Sequence, residues 1–268
     1  MSRAHFHHWP EYLIEAGGLG LFMVSAGLFG TLLFAPGSPA LVALPSELLR
    51  RALMGLAMGG TAVGLIYSPW GQRSGAHFNP AVTLTFLRLG KVSAWDAGWY
   101  ILAQAAGGTL GVLVVAALVG PAFTTLPVDW VVTEPGRWGV GAAFLAELGI
   151  SALLMGTVLT LSNHPRMARF TGLAAGCLVA LYILLEAPVS GMSMNPARTF
   201  ASALPSGQWR GFWIYLAAPL AGMSGASWLY CALAGRHRVR CAKLHHTHTH
   251  RCIFRCGHCL HGSDPQLG

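Results

Sequence analysis

Two identical tripeptides, Asn79-Pro80-Ala81 and Asn195-Pro196-Ala197, open two short segments of the chain. Asn is a preferred helix N-cap, and Pro suits the first helical position because its missing N–H would have no partner there. Each tripeptide therefore reads as a helix N-terminus. Its Asn can hold the carboxamide oxygen on the local backbone and turn N–H donors elsewhere. The preceding residues, Gly75-Ala76-His77 and Gly191-Met192-Ser193, offer rows of backbone carbonyl acceptors. Arg198 follows Asn195 by three positions, almost one helical turn, and can share its side of the helix. This set can hydrogen-bond an uncharged polar molecule and repel a cation. The body of the chain has no nucleophile–base pair and no acid pair, so an enzyme is the least favoured class.

The elements that must position these groups are apolar. The chain has 268 residues, 54% hydrophobic and 10% charged, with a mean hydropathy of +0.53. Soluble domains carry about 25% charged residues, so there are too few charges here to coat a water-facing surface. Six apolar stretches run from Tyr12 to Phe34, Arg51 to Tyr67, Trp95 to Leu118, Val140 to Leu161, Phe170 to Ala187 and Trp209 to Leu233. Each can cross about 30 Å of hydrocarbon as a helix. The first span reads as a retained anchor, since no basic region, short apolar core and cleavage site precede it. Gly55-x3-Gly59, Gly60-x3-Gly64, Gly107-x3-Gly111 and Gly172-x3-Gly176 have the spacing that lets membrane helices approach closely.

The chain also repeats itself. Tyr12-Leu13-Ile14-Glu15-Ala16-Gly17 returns as Phe144-Leu145-Ala146-Glu147-Leu148-Gly149, and Ser74 to Ala81 returns as Ser190 to Ala197. Trp95, Trp99, Ala103, Gly108 and Gly111 return at an offset of 114 residues. Three spans per copy is an odd number, so the second copy enters the membrane inverted, and such repeats share a site at the midplane. The ten-residue segments Asn79 to Arg88 and Asn195 to Leu204 span only about 15 Å each as helix. They read as half-helices that dip in from opposite faces and meet N-terminus to N-terminus. Two positive helix ends at one point oppose a cation. Glu15 and Glu147, equivalent residues on the first span of each copy, read as buried acceptors that anchor the re-entrant loops. Glu186, without a counterpart, reads as interfacial.

On Ser74-Gly75-Ala76-His77-Phe78-Asn79-Pro80-Ala81-Val82-Thr83 and Ser190-Gly191-Met192-Ser193-Met194-Asn195-Pro196-Ala197-Arg198, the chain resembles the aquaporins, or major intrinsic proteins, over residues 10 to 233. A bacterial member is the expectation. The resemblance implies an all-α membrane protein of six transmembrane helices plus two re-entrant half-helices. It implies a homotetramer in the lipid bilayer, with one pore per subunit for water or small neutral solutes, and His77 at the cytoplasmic mouth. It also implies a selectivity constriction at Arg198. Matching positions give Ile183 and Met192 as further walls. The second-span wall is Met58 when aligned from the helix side and Gly59 when aligned from the motif side. Met58 is preferred, because the extra residue of the first copy belongs in Ser68 to Gln72. Strict water channels of the family usually carry His where Ile183 stands, and glycerol channels carry Asp where Thr199 stands. Tyr215 and Leu216 fit neither subgroup.

Residues 1–233 thus read as the channel domain, with repeats over about 10–118 and 140–233, and residues 234–268 as a basic tail expected to be disordered. Most of the formal net charge of +8 comes from that tail, which favours a membrane-adjacent segment over a nucleic-acid face and both termini in the cytoplasm. The location expected is the cell membrane. No cofactor and no metal site are expected, and any metal affinity of the tail is expected to be adventitious. Cys241, His245, His246, His248, His250, Cys252, Cys256, His258, Cys259 and His261 could still ligate a soft or borderline metal, with Cys256-x2-Cys259 as ligand spacing. Three functions follow in order: a water channel admitting small neutral solutes, a glycerol, polyol or metalloid facilitator, and a metal-handling membrane protein acting through the tail.

Overall fold

Membrane helices need small residues wherever two backbones must approach, and a polar side chain at a helix start can cap its free N–H groups. The computed structural model, which describes residues 7–247 and 249–258, has small residues at its helix contacts and side-chain caps on two spans. Its principal helices are α1 (Trp9–Phe34), α2 (Glu47–Tyr67), α3 (Pro80–Arg88), α4 (Ala94–Val119), α5 (Gly139–Ser162), α6 (Thr171–Leu185), α7 (Pro196–Ser206) and α8 (Phe212–Ala234). The described residues contain no strand. Six of these helices, with α6 extended back to Ala168, are long and apolar enough to cross a membrane. Two of the observed spans begin at a side-chain cap. Ser46 accepts from Leu49 N at the start of α2, and Ser93 accepts from Asp96 N at the start of α4. The last span starts later than Trp209, because Gly211 turns the chain with φ +68° before Phe212.

Polarity is inverted relative to a protein in water. Glu11, Glu15, Gln104, Glu147 and Ser151 are fully buried, while Leu13, Leu102, Leu145 and Trp228 are each more than half exposed. Such a surface suits hydrocarbon and not water.

The two copies pack alike. Within the first, α1 lies on α4; within the second, α5 lies on α8; α2 and α6 pair across the copies. Glycine permits each approach. A Cβ on Gly107 would sit 2.0 Å from Ala16 O, one on Gly222 2.3 Å from Leu148 O, and one on Gly59 2.5 Å from Gly176 O. Gly60 and Gly64 meet nothing within 4 Å. That pair has the same spacing but makes no contact within the subunit.

Beyond α8 the described tail is not free of the body. Arg236 Nη2 donates to Arg88 O at 2.9 Å and Arg240 N to Asn163 Oδ1 at 2.8 Å. Val239, Cys241, Ala242, Lys243, Leu244 and Phe254 are buried. The expected disorder does not hold for these residues, because they pack on apolar surface at one end of the bundle. Arg3, His248, Cys259 and His261 fall outside the described residues.

The α2–α6 contact yields a paired test. Gly59→Ala forces the two backbones apart and is expected to lower stability by about 1–3 kcal/mol. Gly60→Ala, one residue on, is expected to stay within about 0.5 kcal/mol of the parent. Equal thermal unfolding of the two variants in detergent contradicts the packing.

Candidate functional site

Helices α3 and α7 carry nine and eleven residues, about 30 Å together, so end to end they cross one bilayer. Their N-termini meet. Asn79 accepts Ala81 N on its side-chain oxygen at 2.8 Å and donates Nδ2 to Met194 O at 2.8 Å. Asn195 accepts Ala197 N and Arg198 N at 3.1 and 3.2 Å and donates Nδ2 to Phe78 O at 2.7 Å. Each carboxamide caps its own helix and clasps the loop of the other copy. One N–H of each engages that loop, and an amide has two.

The loops before the motifs are non-helical backbone deep in the fold. Ala76, Phe78, Met192 and Met194 all have φ between 45° and 56°, the left-handed region that non-glycine residues avoid. Each such residue costs about 1–3 kcal/mol and persists only where its surroundings hold it. Two carboxylates do that. Glu15 accepts Ser74 Oγ at 2.7 Å, His77 N at 3.1 Å, Phe78 N at 2.6 Å and Gln104 Nε2 at 2.8 Å. Glu147 accepts Ser190 Oγ at 2.6 Å and the N–H groups of Ser193 and Met194, both at 2.7 Å. Tyr100 and Tyr215 add hydroxyl bonds to Ser74 O and Ser190 O at 2.7 and 2.6 Å. With the N–H groups drawn outward to the carboxylates, the carbonyls of Ala76, His77, Met192 and Ser193 receive no protein donor among the described residues. All four residues line one cavity of about 760 Å³.

That cavity also takes in Asn79, Asn195, Met58, Ile183, Met192 and Arg198. Met58 is 2% exposed and faces the cavity, whereas Gly59 lies against Gly176. Arg198 Nη1 donates to Val131 O at 2.7 Å, which pins the guanidinium at the wall. Sequence reasoning missed Val131, and no motif marks it: a carbonyl does this work, in a loop with φ +49° at that residue. Thr199 is bonded to Ser193 Oγ at 2.6 Å and to Thr133 Oγ1 at 2.8 Å, so it supports the loop. Glu186, expected at the interface, is buried within the protein at the C-terminal end of α6, where the turn Ala187–Ser190 begins.

At the opposite end, His77 Nδ1 lies 3.1 Å from Thr83 Oγ1 and Nε2 lies 2.8 Å from Ala242 O. A carbonyl only accepts, so Nε2 carries the proton. The ring stacks between Phe86 and Phe254, with centroids 5.3 and 5.4 Å away. Gly75 O, expected at the head of the carbonyl row, is taken by Leu244 N at 3.1 Å. Lys243 is 1% exposed and donates Nζ to Arg251 O at 2.7 Å. Burial pushes its ammonium below the usual lysine range.

The family pattern described as "Major intrinsic protein" matches residues 19–230, most of the chain. The chain belongs to that family. A "Probable aquaporin NIP4-2" of Arabidopsis thaliana is 32% identical over 189 residues, 70% of this chain and 59% of that protein. "Aquaporin Z" of Photorhabdus laumondii is 30% identical over 190 residues, 68% of this chain and 79% of that protein. A "Glycerol uptake facilitator protein-like 6" of Lactiplantibacillus plantarum is 34% identical over 150 residues, 54% of this chain and 67% of that protein. The match reaches 50% and 59% of the length of two plant relatives. Plant, archaeal and bacterial proteins match alike, which singles out no bacterial origin. The fold is also that of the aquaglyceroporin from Plasmodium falciparum, with a TM-score of 0.68 at 22% identity over 84% of this chain and 98% of that one.

In this major intrinsic protein the carboxylates can be tested directly. Glu15→Ala and Glu147→Ala each orphan buried loop donors, at about 1–3 kcal/mol per group. Glu15 holds four donors and Glu147 three, so both variants are expected to lose assembled protein, Glu15→Ala more so. Size-exclusion profiles and melting temperatures check this; normal assembly of both contradicts the anchoring role.

Proposed function

We propose that the chain is a passive channel for water that also admits small neutral solutes. The observation that carries this reading is the single cavity running from Arg198 past the paired Asn residues to His77. Free carbonyl acceptors line it on both loops. A row of acceptors replaces the hydration of a neutral polar molecule, whereas a cation meets two helix N-termini and a guanidinium. No chemistry beyond passage is proposed, and no cofactor takes part. Glu15 and Glu147 serve as loop anchors and do not carry protons.

The constriction comprises Met58, Ile183, Met192 and Arg198. One charged donor faces three apolar walls, which suits a small solute with an alkyl face as well as water. Relatives named for both water and glycerol leave a polyol or metalloid facilitator as the second reading. The working unit we propose is a homotetramer in the cell membrane. The end bearing Arg73, Arg88, Lys91, Arg166, Arg169 and the basic tail would face the cytoplasm.

Two measurements decide between these. Stopped-flow light scattering of reconstituted vesicles under sucrose, glycerol and urea gradients separates a water channel, a solute facilitator and a non-channel. In the same vesicles Arg198→Val is expected to keep water flux and raise urea and proton flux several-fold. Removing a half-buried guanidinium both widens the passage and lowers the charge barrier. Unchanged urea and proton flux at matched protein content places selectivity elsewhere.

A further inference from the structure

Four side chains of the tail converge away from the passage. The donor atoms of Cys241, His246, Cys252 and Cys256 all lie within 4.8 Å of one another. Cys241 Sγ is 3.6 Å from Cys252 Sγ, and Cys256 Sγ is 3.2 Å from His246 Nε2. Around a tetrahedral zinc ion, with bonds of about 2.3 Å to sulfur and 2.0 Å to nitrogen, ligand atoms stand about 3.4–3.8 Å apart. The cluster is therefore close to the size of one such ion. Three thiolates and one imidazole select a soft or borderline cation over magnesium or calcium. The backbone brings the ligands together from both ends of the segment: Gly257 N donates to Arg240 O at 2.7 Å and Arg255 N to Lys91 O at 3.0 Å.

The tail's contacts with the His77 mouth lie on the loops between these ligands. Ala242, whose carbonyl takes His77 Nε2, and Leu244, which bonds Gly75 O and lines the cavity, sit between Cys241 and His246. Phe254, stacked on the His77 ring at 7°, sits between Cys252 and Cys256. A segment this short has little core of its own, and small folds of that kind commonly depend on a bound metal.

We propose that Cys241, His246, Cys252 and Cys256 bind one zinc-class ion, and that the loaded tail stoppers the His77 mouth of the channel. On binding, the three thiols release their protons to solvent and the sulfurs ligate as thiolates. Metal supply would then set conductance. The metal site stands independently; the effect on flux rests on the channel reading.

The test uses the full-length protein under reductant, with zinc ion alone added and then dialysed. One zinc per chain is expected, with retention at least tenfold weaker in Cys252→Ser and His246→Ala. Cobalt in its place is expected to give thiolate charge-transfer absorption that both variants lose. In vesicles, zinc is expected to lower osmotic water permeability several-fold and a chelator to restore it, while Cys252→Ser stays permeable throughout. Retention equal to that of the variants, or a Cys241–Cys252 disulfide under the same reductant, overturns the site. Stoichiometric zinc with unchanged flux overturns the stopper. If chelated wild type and Cys252→Ser are both no more permeable than empty vesicles, the channel reading fails instead. Trypsin cleavage after the exposed Arg251 and Arg255 then decides the stopper, which requires zinc to slow it and is overturned if cleavage is unaffected.

Discussion

A buried carboxylate holding a strained loop is the interaction on which the rest of this molecule depends. Irregular backbone at membrane depth must have its N–H and C=O groups satisfied by protein or turned to water. Glu15 and Glu147 meet the first half of that demand by collecting loop N–H and hydroxyl donors on the outer side. The second half is then met by default, because the carbonyls point inward and a lumen must be there to receive them. Charged acceptors form the stronger class of hydrogen bond, which offsets the left-handed geometry at Ala76, Phe78, Met192 and Met194.

The selectivity we propose follows from the same geometry. The half-helices are held end to end by Asn79 and Asn195, each bonded to the other copy's loop. A passing molecule therefore meets fixed donors at the centre and fixed acceptors on either side. Arg198, tied to Val131 O, adds a charge at one end, and the tail adds a cover at the other.

Much of this was legible in the residues themselves. The two Asn-Pro-Ala motifs, the short apolar segments after them and the recurrence of Glu15 at Glu147 specify a symmetric re-entrant pair, because few structures bury such groups twice. Span ends shifted by a few residues where Ser46, Ser93 and Gly211 cap or turn the chain. Glycine spacing was only half informative. Gly55, Gly59, Gly107 and Gly176 close on neighbouring backbone, but Gly60 and Gly64 do not, since spacing says nothing of which face is turned inward. The tail was the least readable part. Its Cys and His residues follow no familiar metal-module pattern, and what orders them is the surface of the body, through Gly75, His77 and Asn163. Val131 carried no side-chain signal at all.

The central claim is that solute moves through the cavity between the two half-helices. Its most direct test is to place a thiol at the constriction with Met192→Cys and measure water flux in vesicles before and after a bulky thiol reagent, with the parent protein treated identically. The account predicts that flux collapses in the variant and not in the parent. Full labelling at position 192 with flux unchanged would place the path outside this cavity.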